Sequence, residues 1–309
     1  MATTQTTAIV TAEMQTYYDK KLLSRLISNF VHMQWGQKRP IPKMGGNVIN
    51  FRKFASLTAA ITALTEGTTP AGNSITVTAL TATPNQYGDF VQVSDVLDLE
   101  AIDPVLDEMA TVLGEQASDT LDQVTRDILV AGTTVQYAAG RASRVTVAAG
   151  DNLTVLEIRK AVRTMKRAKA KPVDGGDYVA IVEPGATFDL QGDTAWINAN
   201  QYAGSKAIFN GEIGRIYGVR FVETPNAKVF TGAGALGIDV YATIVLGAEA
   251  YGIVDVAGSG AVQNIIKPVG SAGSADPLNQ RATTGWKALF TAKILQQGAI
   301  LRIEHATTA

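Results

Sequence analysis

Gly232-Ala-Gly-Ala-Leu-Gly237 is the stretch of this chain whose spacing most suggests chemistry. In a dinucleotide site a G-x-G-x-x-G run follows a strand and opens a helix whose N-terminus holds a pyrophosphate, with an acid about 20 residues further on. The run here does follow a short apolar segment, 228–230, but Ile238, Val240, Tyr241, Ile244 and Val245 come next, and they read as a strand. A glycine-rich turn between strands fits that context better than a phosphate cradle.

The other reactive residue types are scarce. The two histidines, His32 and His305, stand at the end of an expected helix and in the last five residues, too few and too dispersed for a triad or a histidine metal cluster. With no cysteine there are no disulfides, thiolate ligands or thiol nucleophiles. Asp174 and Asp177 flank a Gly-Gly turn, where aspartate serves the backbone. Asn152-Leu153-Thr154 matches a glycosylation pattern, but no secretory signal is evident and Thr154 reads as a helix cap. A basic run, Arg159, Lys160, Arg163, Lys166, Arg167, Lys169 and Lys171, lies on an expected helix from 154 to about 171. It could face phosphate or an acidic subunit, but no aromatic is interleaved with it, and a solvated face explains it. No catalytic, cofactor or metal residue is assigned, and no enzyme activity is expected.

The elements are more informative than the side chains. The stretch 104–131 has Asp103 as N-cap, Pro104 at the first helical position, and Asp107 and Glu108 in the first turn. Leu106, Met109, Leu113, Ala117, Leu121, Val124 and Ile128 advance by three or four, a continuous stripe on a helix roughly 40 Å long. Helices of globular domains average ~11–12 residues, so this one should span a whole domain.

Before it, 1–11 reads as an arm, 12–32 as a helix, and QKRPIPKMGGN as a Pro/Gly connector. Residues 54–95 contain no Lys or Arg and read as a Thr-rich two-stranded excursion turning at TTPAGN. Such a ribbon is marginal by itself and calls for a neighbour's surface. After the long helix, 132–152 reads as a β-ribbon turning near Gly140. Residues 172–254 read as an α+β section, with further strands at 238–256, 261–269 and 286–304, the last broken at Gly298. Net charge of −1 on 309 residues gives no overall attraction to nucleic acid or anionic lipid. No 18-residue apolar stretch occurs, so no membrane partner is expected.

That order of parts resembles the HK97-type major capsid protein of tailed bacteriophages. LTEGTTP (64–70), QYGDFVQVSD (86–95), EIGRIYGVRFVET (212–224) and GWKALFTAKIL (285–295) are similar to its podovirus-coat-like branch. The resemblance implies an α+β, HK97-like fold: N-terminal arm and helix at 1–53, extended E-loop hairpin at 54–95, and peripheral domain at 96–171 with spine helix 104–131. It further implies an axial domain at 172–254 and return strands of the peripheral domain at 255–309.

The implied function is a coat subunit that assembles with itself into hexamers and pentamers of an icosahedral shell enclosing phage double-stranded DNA. The implied location is the virion, with assembly in the host cytoplasm. Separate scaffolding, portal and decoration proteins are implied partners, since the N-terminus is too short for a fused scaffold, and packaged DNA would be touched weakly. Some relatives cross-link through an E-loop lysine; 54–95 has none, so a non-covalent shell is expected. An encapsulin-like compartment is the alternative within the fold, and a nucleotide-binding enzyme using 232–237 the alternative outside it.

Overall fold

The computed structural model describes residues 30–41, 48–55, 57–100, 105–173, 176–197, 214–256, 262–271 and 276–308. In chain order the elements are β1 (Gln37–Ile41), β2 (Ile49–Phe54), β3 (Val77–Ala82), β4 (Asn85–Ser94), α1 (Asp95–Glu100), α2 (Val105–Val130) and β5 (Val135–Tyr137). Then come α3 (Val155–Arg167), β6 (Tyr178–Val182), α4 (Pro184–Gly192), β7 (Arg215–Ile216), β8 (Val219–Glu223) and β9 (Lys228–Phe230). The chain finishes with β10 (Val240–Leu246), β11 (Tyr251–Val256), β12 (Gln263–Lys267), β13 (Arg281–Ile294) and β14 (Ile300–His305). This is an α+β architecture. The helix expected at 12–32 and the caps at 103 and 104 lie almost wholly outside the described residues.

Helix α2 is the expected long helix, 26 residues and therefore ~39 Å. Its buried face is rotated from the apolar stripe: Leu113, Ala117 and Leu121 are buried as expected, but Val124 and Ile128 are half-exposed. Ala110, Ser118, Asp122, Thr125 and Leu129 complete the buried line instead. The polar members can lie inside because each has a partner there. Ser118 Oγ donates to the Glu115 carbonyl at 3.0 Å and Thr125 Oγ1 to that of Leu121 at 2.9 Å.

Two sheets share this core. In one, the order is β1-β11-β13-β12, and β4 runs along the opposite edge of β13. In the other, it is β5-β14-β10-β6-β8-β7, with β9 also paired to β10. Three expectations change here. The QKRPI of the connector is strand β1, parallel to β11 with Gln37 opposite Gly252; it is an edge strand, where a proline is tolerated. No ribbon forms over 132–152: three residues of β5 lie parallel to β14, then two short 3₁₀ turns follow, with Ala139 at φ 53°. The strand pair at 286–304 is divided between sheets, β13 in the first and β14 in the second, across a 3₁₀ turn at Gln297–Ala299.

The expected excursion is also built differently. β2 and β3 pair from Ile49↔Ala82 to Phe54↔Val77, and the Ala55 N–H to Thr76 carbonyl bond (2.9 Å) is the last rung. Beyond it 57–76 carries no strand, while β4 pairs with β13 over ten residues and not with β3. What anchors the β2–β3 ribbon is Phe51, buried among Ala82 and Val254. A Cβ at Gly252 would lie 2.6 Å from the Phe51 ring. Gly252→Ala should therefore force the ring outward, costing roughly 1–3 kcal/mol. The expected readout is a lower denaturant midpoint together with faster proteolysis of the ribbon.

Candidate assembly surfaces

The glycine loop is a turn between strands. Gly232–Gly237 ends in a 3₁₀ turn with Leu236 at φ 58°, and β10 follows where a phosphate site would need a helix. Four of its N–H donors are turned inward: Gly234 to the Ile238 carbonyl, Ala235 to that of Val147, Gly237 to that of Gly234, and Gly232 to the Asp239 carboxylate. Gly234 is required for packing, because a Cβ there would lie 2.9 Å from the Val147 carbonyl.

Both histidines are buried. Asp122 Oδ1 accepts from the N–H groups of Val31 (3.0 Å) and His32 (2.7 Å), and its Oδ2 lies 2.6 Å from His32 Nδ1. The Tyr251 hydroxyl donates to the His32 carbonyl, and burial pushes its pKa above the ordinary tyrosine value. This arrangement ties the chain entering β1 to α2 and β11. Nothing in sequence spacing signals it, since 90 residues separate Asp122 from His32.

His305 sits in β14 with Nε2 2.9 Å from Thr243 Oγ1 and Nδ1 2.9 Å from the Ala306 carbonyl. Burial pushes its pKa down from 6.5 to about 4, opposed by the Ala306 carbonyl and the charges of Asp189 and Glu304. The folded protein thus keeps His305 neutral, while the unfolded chain binds a proton below pH 6.5. Its contribution is complete above 6.5 and drains as pH falls to 4, a loss of about 3 kcal/mol from this group. Urea titrations at pH 7, 5.5 and 4.5 should show that decline, with a flatter slope for His305→Asn.

The remaining candidates are structural. Thr154 caps α3 through its bond from the Glu157 N–H, and the Asn152 amide donates to Thr308. Asp177 pairs with Arg215, while Asp174 lies outside the described residues. Among the described residues no three His, Cys, Asp or Glu side chains gather as a metal site, and no helix is long and apolar enough to cross a membrane. Arg144 and Arg302 both reach the buried Glu304, with Arg144 also over the Phe230 ring, 3.4 Å from its centroid. That network locks the irregular 138–152 segment onto β14.

Two surfaces remain unsatisfied by the subunit itself. On α3, Arg159, Arg163, Lys166 and Arg167 line a shallow groove with Tyr217, which lies 5.1 Å beneath the Arg159 guanidinium. The aromatic that the helix sequence lacks is supplied by the β7–β8 turn. The larger surface is the segment between β2 and β3. Ile61 is 91% exposed and Leu64 76%, with Phe54, Leu57 and Ile75 also in water. Its backbone is largely without ladder partners on this subunit and is left to water.

A family model described as phage capsid protein matches residues 76–303. No curated protein matches in sequence. Among solved structures, the capsid of Ralstonia phage GP4 is similar at TM-score 0.69 and 15% identity, covering 89% of this chain and 87% of that one. The capsid of cyanophage P-SCSP1u is similar at TM-score 0.70 and 16% identity, covering 90% and 89%. A virus-like particle from Pyrococcus furiosus is similar at TM-score 0.54 and 11% identity, covering 94% and 99%.

Proposed function

Because this chain belongs to the phage capsid protein family, as a major capsid protein with the HK97-like fold, we propose that its copies close into hexamers and pentamers of an icosahedral shell around phage double-stranded DNA. The observation that carries this reading is the segment 55–76, whose large apolar side chains find no cover on their own subunit. Each such side chain gains ~1.5–3 kcal/mol on full burial, so laying the segment across an adjoining copy links lattice closure to stability.

In this reading α2 and the sheet built on β13 form the peripheral wall, and the sheet built on β10 surrounds the capsomer axes. We count β5 and β14 with that axial part because they share the β10 sheet, although in sequence they flank 172–254. The shell is held without covalent links from the excursion, which has no lysine between Phe54 and Asp95. Near-neutral net charge of −1 suits a container that must release its DNA. Separate scaffolding and portal proteins would act during assembly in the host cell.

An encapsulin-like compartment is less well supported, since the family match is to phage capsids and the virus-like particle superposes less closely than the phage heads. Light scattering and negative-stain microscopy of the purified protein test the proposal. Megadalton shells or capsomer mixtures are the expected result; a compact dimer at all concentrations would overturn it.

A further inference from the structure

Opposite charges are sorted along this chain instead of mixed. No Lys or Arg occurs between Lys53 and Arg126, and between Lys53 and Asp89 the one charged residue is Glu66. Glu66 lies in the turn closed by the Thr68 N–H to Thr65 carbonyl bond (3.2 Å), exposed like Leu64 nearby. Among the described residues no cation of its own chain pairs with it.

The complementary charge collects at the root of the same excursion. A cleft of about 490 Å³ is lined by Arg39 of β1, Arg52 and Lys53 of β2, and Lys169 and Lys171 beyond α3. Glu249 is the single acid on its wall, and none of the five cations has a carboxylate within ion-pair reach among the described residues. Elsewhere this fold pairs Arg126, Arg141, Arg144, Arg215, Lys228 and Arg302 with carboxylates. Clustered unpaired cations repel one another, so an anion arriving there is favoured. The cleft also has apolar walls, Phe54, Leu80 and Leu295 among them. A carboxylate with a leucine beside it matches that lining.

We propose that Glu66, with Leu64 beside it, seats in the cationic cleft of an adjoining copy. The same chain cannot be the donor in this conformation, because Leu64 and Glu66 are in solvent and not against the cleft. The proposal rests on the lattice reading above and goes beyond it by naming the seat of the excursion's tip. A contact of this kind is screened by salt, so wild-type assembly should weaken as sodium chloride rises from about 0.1 to 1 M.

The test is a charge swap scored by shell yield in sedimentation. Glu66→Lys, and separately Arg52→Glu with Lys53→Glu, should each cut yield at least about 10-fold, while the unfolding midpoint of the isolated subunit stays put because all three side chains are exposed. The triple variant should recover to within about 3-fold of wild type. Wild-type yield from Glu66→Lys, or a triple variant no better than its parents, overturns the contact while leaving the shell reading intact. If reversal of Arg52 and Lys53 instead abolishes binding of a 20-base-pair duplex with assembly unchanged, the cleft holds phosphate and the proposal is overturned. Failure of the wild-type protein to form any shell overturns the lattice reading and this contact with it.

Discussion

Asp122→Ala is expected to destabilise the isolated subunit by about 3–5 kcal/mol, the range for removing one partner from a buried charged or strongly hydrogen-bonded pair. The carboxylate has no exposed surface and receives both the Val31 and His32 N–H groups as well as the His32 ring. Alanine leaves those donors without acceptors in a site that water does not reach. A loss of that size lowers the melting temperature by roughly 10 °C in a chain of this length. The change should be felt first where the tie ends, with β1 separating from β11 and its amides exchanging faster than those of β10. Asp122→Asn retains an oxygen for the two backbone donors and should lose less than half as much. An Asp122→Ala subunit within about 1 kcal/mol of wild type would show that β1 is held by its strand pairing alone.

Excision of the excursion should separate folding from assembly. Replacing 56–75 with Asn-Gly joins Ala55 to Thr76 at the last rung of the β2–β3 ribbon, a two-residue connection suited to an antiparallel pair. The subunit core contributes nothing to this segment, and shortening a loop is entropically mild, so stability should stay within about 1 kcal/mol. Shell formation should fall by at least 100-fold, equivalent to about 2.7 kcal/mol. That figure is within reach, because Leu57, Ile61, Leu64 and Ile75 are all mostly exposed, and burying half of their combined surface on a neighbour would gain roughly 3–6 kcal/mol. Sedimentation of variant and wild type at equal concentration decides the matter; full-size shells from the shortened chain would remove the excursion from the assembly mechanism.

Local signals and non-local ones differ sharply in how well sequence exposed them. Helix α2 was legible because its stripe and its acidic first turn are written in consecutive residues, and the glycine run could be dismissed because Ile238 and Val240 announce a strand. The buried line of α2 was misplaced because Ser118, Asp122 and Thr125 are polar by type, and only their partners make burial tolerable. β1 was read as a connector for a related reason: Lys38, Arg39 and Pro40 are poor strand residues, and the segment is extended because β11 lies beside it. Sheet membership was invisible at the C-terminus, where Gly298 suggested a break but not that β13 and β14 serve different sheets. Of the surfaces, the exposed segment 57–76 lies within the charge-poor stretch 54–95 that composition set apart, although 85–94 of that stretch is bound into the β13 sheet. The cationic cleft was not evident from composition, since Arg39, Arg52 and Lys169 meet only in three dimensions.

Each of the two larger sheets joins an early strand to a late one. Gln37 waits for Gly252, Ser94 for Arg281, and Val135 for Arg302. During synthesis, then, the ribosome exposes three unpaired edges until Gly252, Arg281 and Arg302 have been made, a period when nascent chains are vulnerable to mispairing. The arrangement is also a form of proofreading: a polypeptide that stops before Ile300 lacks β14, leaves β5 and one side of β10 open, and has no completed tile to offer its neighbours.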